Sequence, residues 1–235
     1  MRSYLLLMMG GTGTRLGADI PKQYIEVDGR PIFTYIMQEY DQLDCIEGMV
    51  IVSHADWIDF VQEWAEKLEI KKLIGITAGG QTRSNSVLNG LTKLSEVADR
   101  EDCVLIHDAT HPYVDKEGTE QVIEAIATYG GATLGEYQYD TVYQIDGDDF
   151  ITETLNRREI VAGASPEGFR FGKLYDIYRK STQEELEAMT SAGAIASANG
   201  IRMKVIPCSM LNLKITYKND LEVFKKTARA YFFDK

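Results

Sequence analysis

Short apolar runs alternate along this chain with longer stretches in which apolar residues recur every three or four positions. The apolar runs cover residues 3 to 9, 48 to 54, 72 to 77, 102 to 108, 131 to 137 and 202 to 208. Their brevity and their alternation with longer amphipathic stretches predict strands. The amphipathic stretches, near residues 32 to 42, 55 to 69, 83 to 97, 116 to 129, 171 to 199 and 219 to 232, predict helices. Parallel strands need crossovers of that length, and crossover helices pack on the faces of the sheet. The expected fold class is therefore α/β, with a mostly parallel sheet between two helical layers. Ligands in such folds collect at the carboxyl ends of the strands.

Residues 137 to 160, YQYDTVYQIDGDDFITETLNRREI, break this rhythm. Period-two alternation around DGDD predicts a projecting β-hairpin, either a contact arm between subunits or a flap edging the sheet. With no low-complexity linker and no internal repeat, residues 1 to 235 are read as a single domain.

The net charge of −11 argues against a partner held by diffuse positive charge, so neither nucleic acid nor an anionic membrane surface is expected. An anionic ligand would have to be met by a local cluster of cations. Cys45, Cys103 and Cys208 are far apart and odd in number, which argues against a disulfide framework or a zinc site. The opening run YLLLMM is too short for a membrane span and lacks a signal-peptide cleavage pattern, so a cytoplasmic location is expected.

Three stretches carry candidate chemistry. GGTGTRLGADIPKQY, residues 10 to 24, follows the first predicted strand, where bare backbone amides can approach a phosphate. Leu16 stands where a GxGxxG loop wants its third glycine, and no GK[ST] follows, so neither common phosphate-loop pattern is met. Arg15 and Lys22 bracket the turn and could grip a polyphosphate, although solvated surface charge is the usual fate of such residues. GGQTRSNSVLNGL, residues 79 to 91, follows the third predicted strand. Ser84, Asn85 and Ser86 there can cap a helix or hydrogen-bond a base or ribose. In VLIHDATHPYVD, residues 104 to 115, Asp108 ends a strand, either as a turn residue or as an oxygen ligand for Mg²⁺ brought in with a nucleoside triphosphate.

GGTGTRLG with PKQY, GGQTRSNSV, HDATHP, DT at 140 and 141, NR at 156 and 157 with SPEGF at 165 to 169, and NLKITYKNDLEV at 212 to 223 occur in that order. The ordered set resembles the sugar-alcohol phosphate cytidylyltransferases, a family that includes 2-C-methyl-D-erythritol 4-phosphate and ribitol-5-phosphate cytidylyltransferases. The resemblance spans residues 3 to about 228. It implies a Rossmann-like three-layer fold, a protruding β-hairpin dimerisation arm at about 137 to 160, and a homodimer in which each arm completes the neighbour's site. It implies CTP and a polyol phosphate as substrates, with Mg²⁺.

Carried over motif by motif, Arg15, Lys22 and Lys214 would face the reacting phosphates. Gly10, Gly11, Gly13, Gly79, Gly80, Arg83 and Ser86 would hold the nucleotide. Asp108 would bind the metal, and Asp108, His111, Thr141 and Arg157 would meet the acceptor, the last two from across the dimer. Three positions depart from the family pattern: His111 stands where an arginine is usual, and Ser165 and Glu167 of SPE at 165 to 167 differ from the usual TPQ. An imidazole is a weaker phosphate partner than a guanidinium at neutral pH. HADW at 54 to 57, FITETLNR at 150 to 157 and Leu211 lean towards the ribitol branch, so ribitol 5-phosphate is the expected acceptor, with methylerythritol phosphate the alternative. A nucleotide-binding regulatory protein without turnover is a second class of reading, and an NAD-dependent dehydrogenase is disfavoured by the incomplete GxGxxG.

Overall fold

The computed structural model describes residues 1–11, 17, 20–188 and 191–234. In chain order its strands and helices are β1 (Ser3–Met9), β2 (Glu26–Val27), β3 (Arg30–Pro31), α1 (Ile32–Asp41), β4 (Gly48–Ser53), α2 (Ile58–Lys67), β5 (Leu73–Ala78), α3 (Arg83–Leu94) and β6 (Cys103–Asp108). There follow α4 (Lys116–Tyr129), β7 (Gly130–Tyr137), β8 (Val142–Ile145), β9 (Ile151–Leu155), β10 (Val161–Arg170), α5 (Phe171–Lys180), α6 (Gln183–Ala188), α7 (Ala192–Ala198), β11 (Arg202–Pro207) and α8 (Lys218–Phe232).

Seven strands form one sheet in the order β11-β7-β10-β6-β1-β4-β5. The pairs β1/β4, β1/β6, β4/β5 and β7/β11 are parallel, as the alternation of runs predicts. β10 is antiparallel to both of its neighbours.

The layering follows from the two-residue period of β1, whose side chains point alternately to opposite faces. Leu5, Leu7 and Met9 join a core with Phe33 and Ile36 of α1, Val61 of α2 and Val122 of α4. Tyr4, Leu6 and Met8 join the opposite core with Val87 and Leu91 of α3, Leu174 of α5 and Ile195 of α7. Both faces are covered, which is why the central strands read as unbroken apolar runs. α8 packs beside α1 through Phe224 against Tyr35, ring centroids 5.4 Å apart.

Two expectations need correction. The sequence reading had no strand at Val161–Arg170. Glycines at 163 and 168 and Pro166 mask its pattern, and its register against β7 shifts between Ala164 and Glu167. The long helical pattern at 171 to 199 is three helices, because the chain leaves α5 in extended geometry at Ser181 and a fresh cap at Ser191 starts α7. The predicted hairpin is β8/β9, with its turn near Asp149 in the left-handed region, φ 65°. It pairs with no strand of the large sheet, and Tyr139 and Phe150 are 81% and 70% exposed beside it.

Cys103 is fully buried, while Cys45 and Cys208 pack partly buried against a core, all with free thiols. Among the described residues no helix is long and apolar enough to cross a membrane.

Candidate active site

Met9 and Gly10 leave the carboxyl end of β1 beside the loop that follows β5. A methyl group placed on Gly10 would lie 3.2 Å from the Gly79 Cα, tighter than ordinary carbon contacts, so the two glycine-rich stretches meet backbone to backbone. The stem is held from both sides. The Gln23 amide donates to the Met9 carbonyl at 2.6 Å and to the Gly11 carbonyl at 2.7 Å. The Gly79 amide donates to the Ser53 carbonyl at 2.7 Å. Gly13 and Arg15 lie outside the described residues.

The second glycine pair leads into α3 through a capping box. Thr82 accepts from the Asn85 amide at 3.1 Å, and the Asn85 side chain accepts from the Thr82 amide at 3.3 Å. The helix is capped as one reading of this stretch expected, but by Thr82; of Ser84, Asn85 and Ser86 only Asn85 takes part in the capping box. The Ser86 hydroxyl accepts from the Gly80 amide at 3.0 Å and donates to the Thr82 carbonyl at 2.9 Å. It shapes the glycine turn in addition to facing the cavity.

Asp108 ends β6 next to β1, and both of its oxygens carry cations. The Arg83 guanidinium donates to Oδ1 at 3.0 Å and the Lys214 ammonium donates to Oδ2 at 3.0 Å. Burial pushes the carboxyl up, but the charges of Arg83 and Lys214 outweigh it and hold the group well below the usual carboxylate range. Arg83, grouped on sequence with the glycine turn, is thus tied to Asp108 as well.

Lys214 arrives on the segment between β11 and α8, which is anchored at several points. The Asp115 carboxylate accepts from the Ser209 amide at 2.8 Å and hydroxyl at 2.9 Å while also capping α4. The Ile215 amide donates to the Thr110 carbonyl at 2.8 Å. The Lys22 ammonium donates to the Ile215 carbonyl at 2.6 Å.

His107 is fully buried. The Tyr40 hydroxyl lies 2.8 Å from its Nδ1, and its Nε2 lies 3.0 Å from the His111 carbonyl. A hydroxyl donating to Nδ1 and an Nε2–H donating to the carbonyl match one neutral tautomer. Burial is the main reason that the ring is held near a pKa of about 3. His111 is lowered to about 4, by burial first and then by the positive charge of Lys214. It is therefore a neutral imidazole at pH 7.

His111 joins Lys22, Arg83, Asp108 and Lys214 in lining one cavity of about 840 Å³, within the range of small-molecule sites, while His107 lies buried behind it. Gly10, Gly80 and Ser86 are further expected residues in its lining. The lining also includes Thr133 of β7, Ser165 and Glu167 of β10, and Ser191 ahead of α7, none of which the sequence reading placed in the site. Their signal was weak: Glu167 stood out only as a departure from a motif, and Gln23 only as part of PKQY. Thr141 and Arg157 are absent from the lining. Both are exposed, and Arg157 donates to the Tyr139 carbonyl at 2.6 Å within the arm.

Lys22, Arg83 and Lys214 give this acidic chain the local cation cluster that an anionic ligand needs. No group of three or more His, Cys, Asp or Glu side chains suited to a metal ion occurs among the described residues. A single carboxylate does fit a Mg²⁺ ion already held by substrate phosphates, the usual mode for that ion.

A family model described as IspD, 2-C-methyl-D-erythritol 4-phosphate cytidylyltransferase, matches residues 4–231. The chain is 33% identical over 226 residues to 2-C-methyl-D-erythritol 4-phosphate cytidylyltransferase of Thermotoga neapolitana, covering 96% of each chain. It is 26% identical over 221 residues to ribitol-5-phosphate cytidylyltransferase of Vibrio parahaemolyticus, covering 94% of this chain and 93% of that one. The crystal structure of Francisella tularensis 2-C-methyl-D-erythritol 4-phosphate cytidylyltransferase (IspD) superimposes with a TM-score of 0.77 at 26% identity, covering 95% of this chain and 98% of that one.

Proposed function

This chain belongs to the IspD family of cytidylyltransferases, and on that premise we propose that it transfers the cytidylyl group of CTP to 2-C-methyl-D-erythritol 4-phosphate. The observation that carries the reading is the meeting of the two glycine turns beside Lys22, Asp108 and Lys214 in one cavity at the carboxyl ends of β1 and β6. Backbone amides and cations suit a polyphosphate, and no covalent nucleophile is required for a phosphate to attack a phosphate.

In this reading the Gly10–Gly11 and Gly79–Gly80 turns receive CTP. An oxygen of the acceptor phosphate attacks the α-phosphorus. The bond from that phosphorus to the bridging oxygen of the β-phosphate breaks, and pyrophosphate leaves. Lys22 and Lys214, joined by Arg15 on the family motif, neutralise the charge that grows on the phosphate oxygens and hold the two reactants in line. Asp108 would hold a Mg²⁺ ion carried in with the triphosphate, and that ion would supply further neutralisation. Arg157 and Thr141 act on the acceptor phosphate of a partner subunit, and the exposed arm with Tyr139 and Phe150 provides the dimer contact.

The choice of acceptor follows identity across the whole chain. The Thermotoga neapolitana methylerythritol relative, at 33%, outweighs the 26% match to the ribitol enzyme and the two short stretches and Leu211 that lean its way. The test is pyrophosphate release from CTP and Mg²⁺ with methylerythritol phosphate, ribitol 5-phosphate and glycerol 3-phosphate offered separately. Fastest release with the first supports the proposal. Faster release with ribitol 5-phosphate reassigns the acceptor, and silence with all three overturns turnover on polyol phosphates.

A further inference from the structure

Arg83 stands among three polar groups of unequal satisfaction. Asp108 Oδ1 accepts from it at 3.0 Å, and the other Asp108 oxygen is held by Lys214 at the same distance. Glu167, on β10, accepts at Oε1 from the Gly193 amide at 3.1 Å, while its Oε2 is buried without a hydrogen-bond partner. The Tyr178 hydroxyl, on α5, is likewise buried without a partner. Such orphaned atoms are rare in folded proteins and call for an explanation.

Arg83 supplies one. Its positive charge acts on both groups: it is the strongest influence opposing the rise that burial imposes on the Glu167 carboxyl, and it acts likewise on the Tyr178 hydroxyl. A guanidinium carries five N–H donors, and Asp108 is the acceptor of Arg83's one hydrogen bond among the described residues. Arg83 and Glu167 line the same cavity, and Tyr178 packs in one core with Val87 and Leu91 of α3, the helix that Arg83 opens, so two unfilled acceptors share the surroundings of a donor group with capacity to spare. A rotation of the Arg83 side chain is the movement that would bring donors towards them.

The occupation of Asp108 gives that rotation a purpose. If Asp108 is to serve an incoming Mg²⁺ and triphosphate, an oxygen that already holds a cation must be released, because neither is free. We propose that Glu167 and Tyr178 form a second position for the Arg83 guanidinium, and that Arg83 moves to it from Asp108 when the nucleotide and its metal load. Glu167 and Tyr178 are then positioning residues, acting through Arg83. The trigger rests on the CTP reading above, but the second position rests only on the geometry of this chain.

Two measurements test it. The first is a structure of Asp108→Asn without ligand, in which Arg83 has lost its anionic partner. Arg83 should then lie within hydrogen-bond distance of Glu167 Oε2 or the Tyr178 hydroxyl, and an Arg83 that stays beside residue 108 overturns the proposal. The second is calorimetric binding of CTP, with Mg²⁺ and with EDTA, to wild type, Glu167→Gln and Tyr178→Phe. Loss of the charged alternative partner should cut the Mg²⁺ enhancement of CTP affinity by roughly tenfold in Glu167→Gln, with metal-free affinity unchanged. Tyr178→Phe should show a smaller loss in the same sense. An unchanged enhancement in Glu167→Gln overturns the exchange, and a purely structural role would lower both affinities together. A wild-type chain that binds no CTP refutes the nucleotide reading alone, since the ligand-free Asp108→Asn structure still decides whether Arg83 has a second position.

Discussion

The Lys22 ammonium donates to the main-chain carbonyl of Ile215, 193 positions further along the chain, at 2.6 Å. This bond ties the stretch after β1 to the segment that presents Lys214, so two cations of the site share one support. Asp115 and Thr110 brace the same segment from the β6 side. Preorganised charge of this kind costs little reorganisation when charge develops on a substrate.

Lys22→Ala is therefore expected to reduce kcat for pyrophosphate release on the order of 10²-fold or more, as loss of one fixed donor at a developing charge does. Because Lys22 also holds Ile215, the double variant with Lys214→Ala should lose less than the product of the single losses, the pattern of groups that act as a unit. Steady-state rates beside melting curves check this. Fully multiplicative losses would separate the two lysines.

The glycine turns invite a paired comparison. A Cβ on Gly80 would lie 2.4 Å from the Asn85 Cβ and 3.0 Å from the Asn85 carbonyl carbon, inside the capping box of α3. Gly80→Ala should thus cost about 1 kcal/mol or more of stability, the scale of a lost cap, and weaken CTP binding. A Cβ on Gly11 meets nothing within 4 Å, so Gly11→Ala should melt like wild type. If Gly11→Ala nonetheless weakens CTP binding, a phosphate approaches that backbone. Thermal melts and CTP titrations on both variants give the answer.

How much of this was legible in the sequence differs by element. The six parallel-type runs and their crossover helices could be read because the central strands β1, β4 and β6 are buried on both faces, the flanking ones keep a short apolar run, and the helices carry a helical period. β10 could not, since Gly163, Pro166 and Gly168 interrupt a strand that finds its partners only in the antiparallel slot between β6 and β7. The two glycine turns, Asp108 and Lys214 could be named from their motifs. Their pairing could not: Arg83 and Asp108 meet because β6, β1, β4 and β5 are neighbours in that order, a fact of topology rather than spacing. Glu167 was visible only as an unexpected acid, and its orphaned oxygen is a property of packing.

The arm bears on assembly. Thr141 and Arg157 lie away from the cavity of their own chain, so a role for them in acceptor binding needs a second subunit. Subunits carrying Lys22→Ala and subunits carrying Arg157→Ala should each be nearly inactive. Mixed equally and allowed to exchange, half of the dimers would be heterodimers with one intact site of two, which restores about a quarter of the wild-type rate. Rate recovery after mixing, followed alongside mass-resolved exchange, is the measurement. Exchanged heterodimers that remain inactive would return Arg157 to a role within its own arm.

The last expectation concerns His111, whose pKa is lowered from 6.5 to about 4 by burial and then by Lys214. Between those values the unfolded chain binds a proton that the native chain refuses, so acidification from pH 6.5 towards 4 should drain stability, with His107, near 3, acting in the same direction. His111→Gln keeps a neutral polar side chain without the titration, and its stability should fall less steeply over that window in denaturant unfolding. The kinetic counterpart lies at higher pH. An imidazole already neutral at pH 6.5 has no charge to lose on going to pH 8, so the acceptor KM should change by less than about twofold over that range in both wild type and His111→Gln. A KM that rises several-fold in wild type and stays level in His111→Gln would mean that the bound acceptor phosphate overcomes Lys214 and protonates the ring. In that event His111 would act as a cation in the complex, and the acid-stability difference would still stand because it belongs to the unliganded chain.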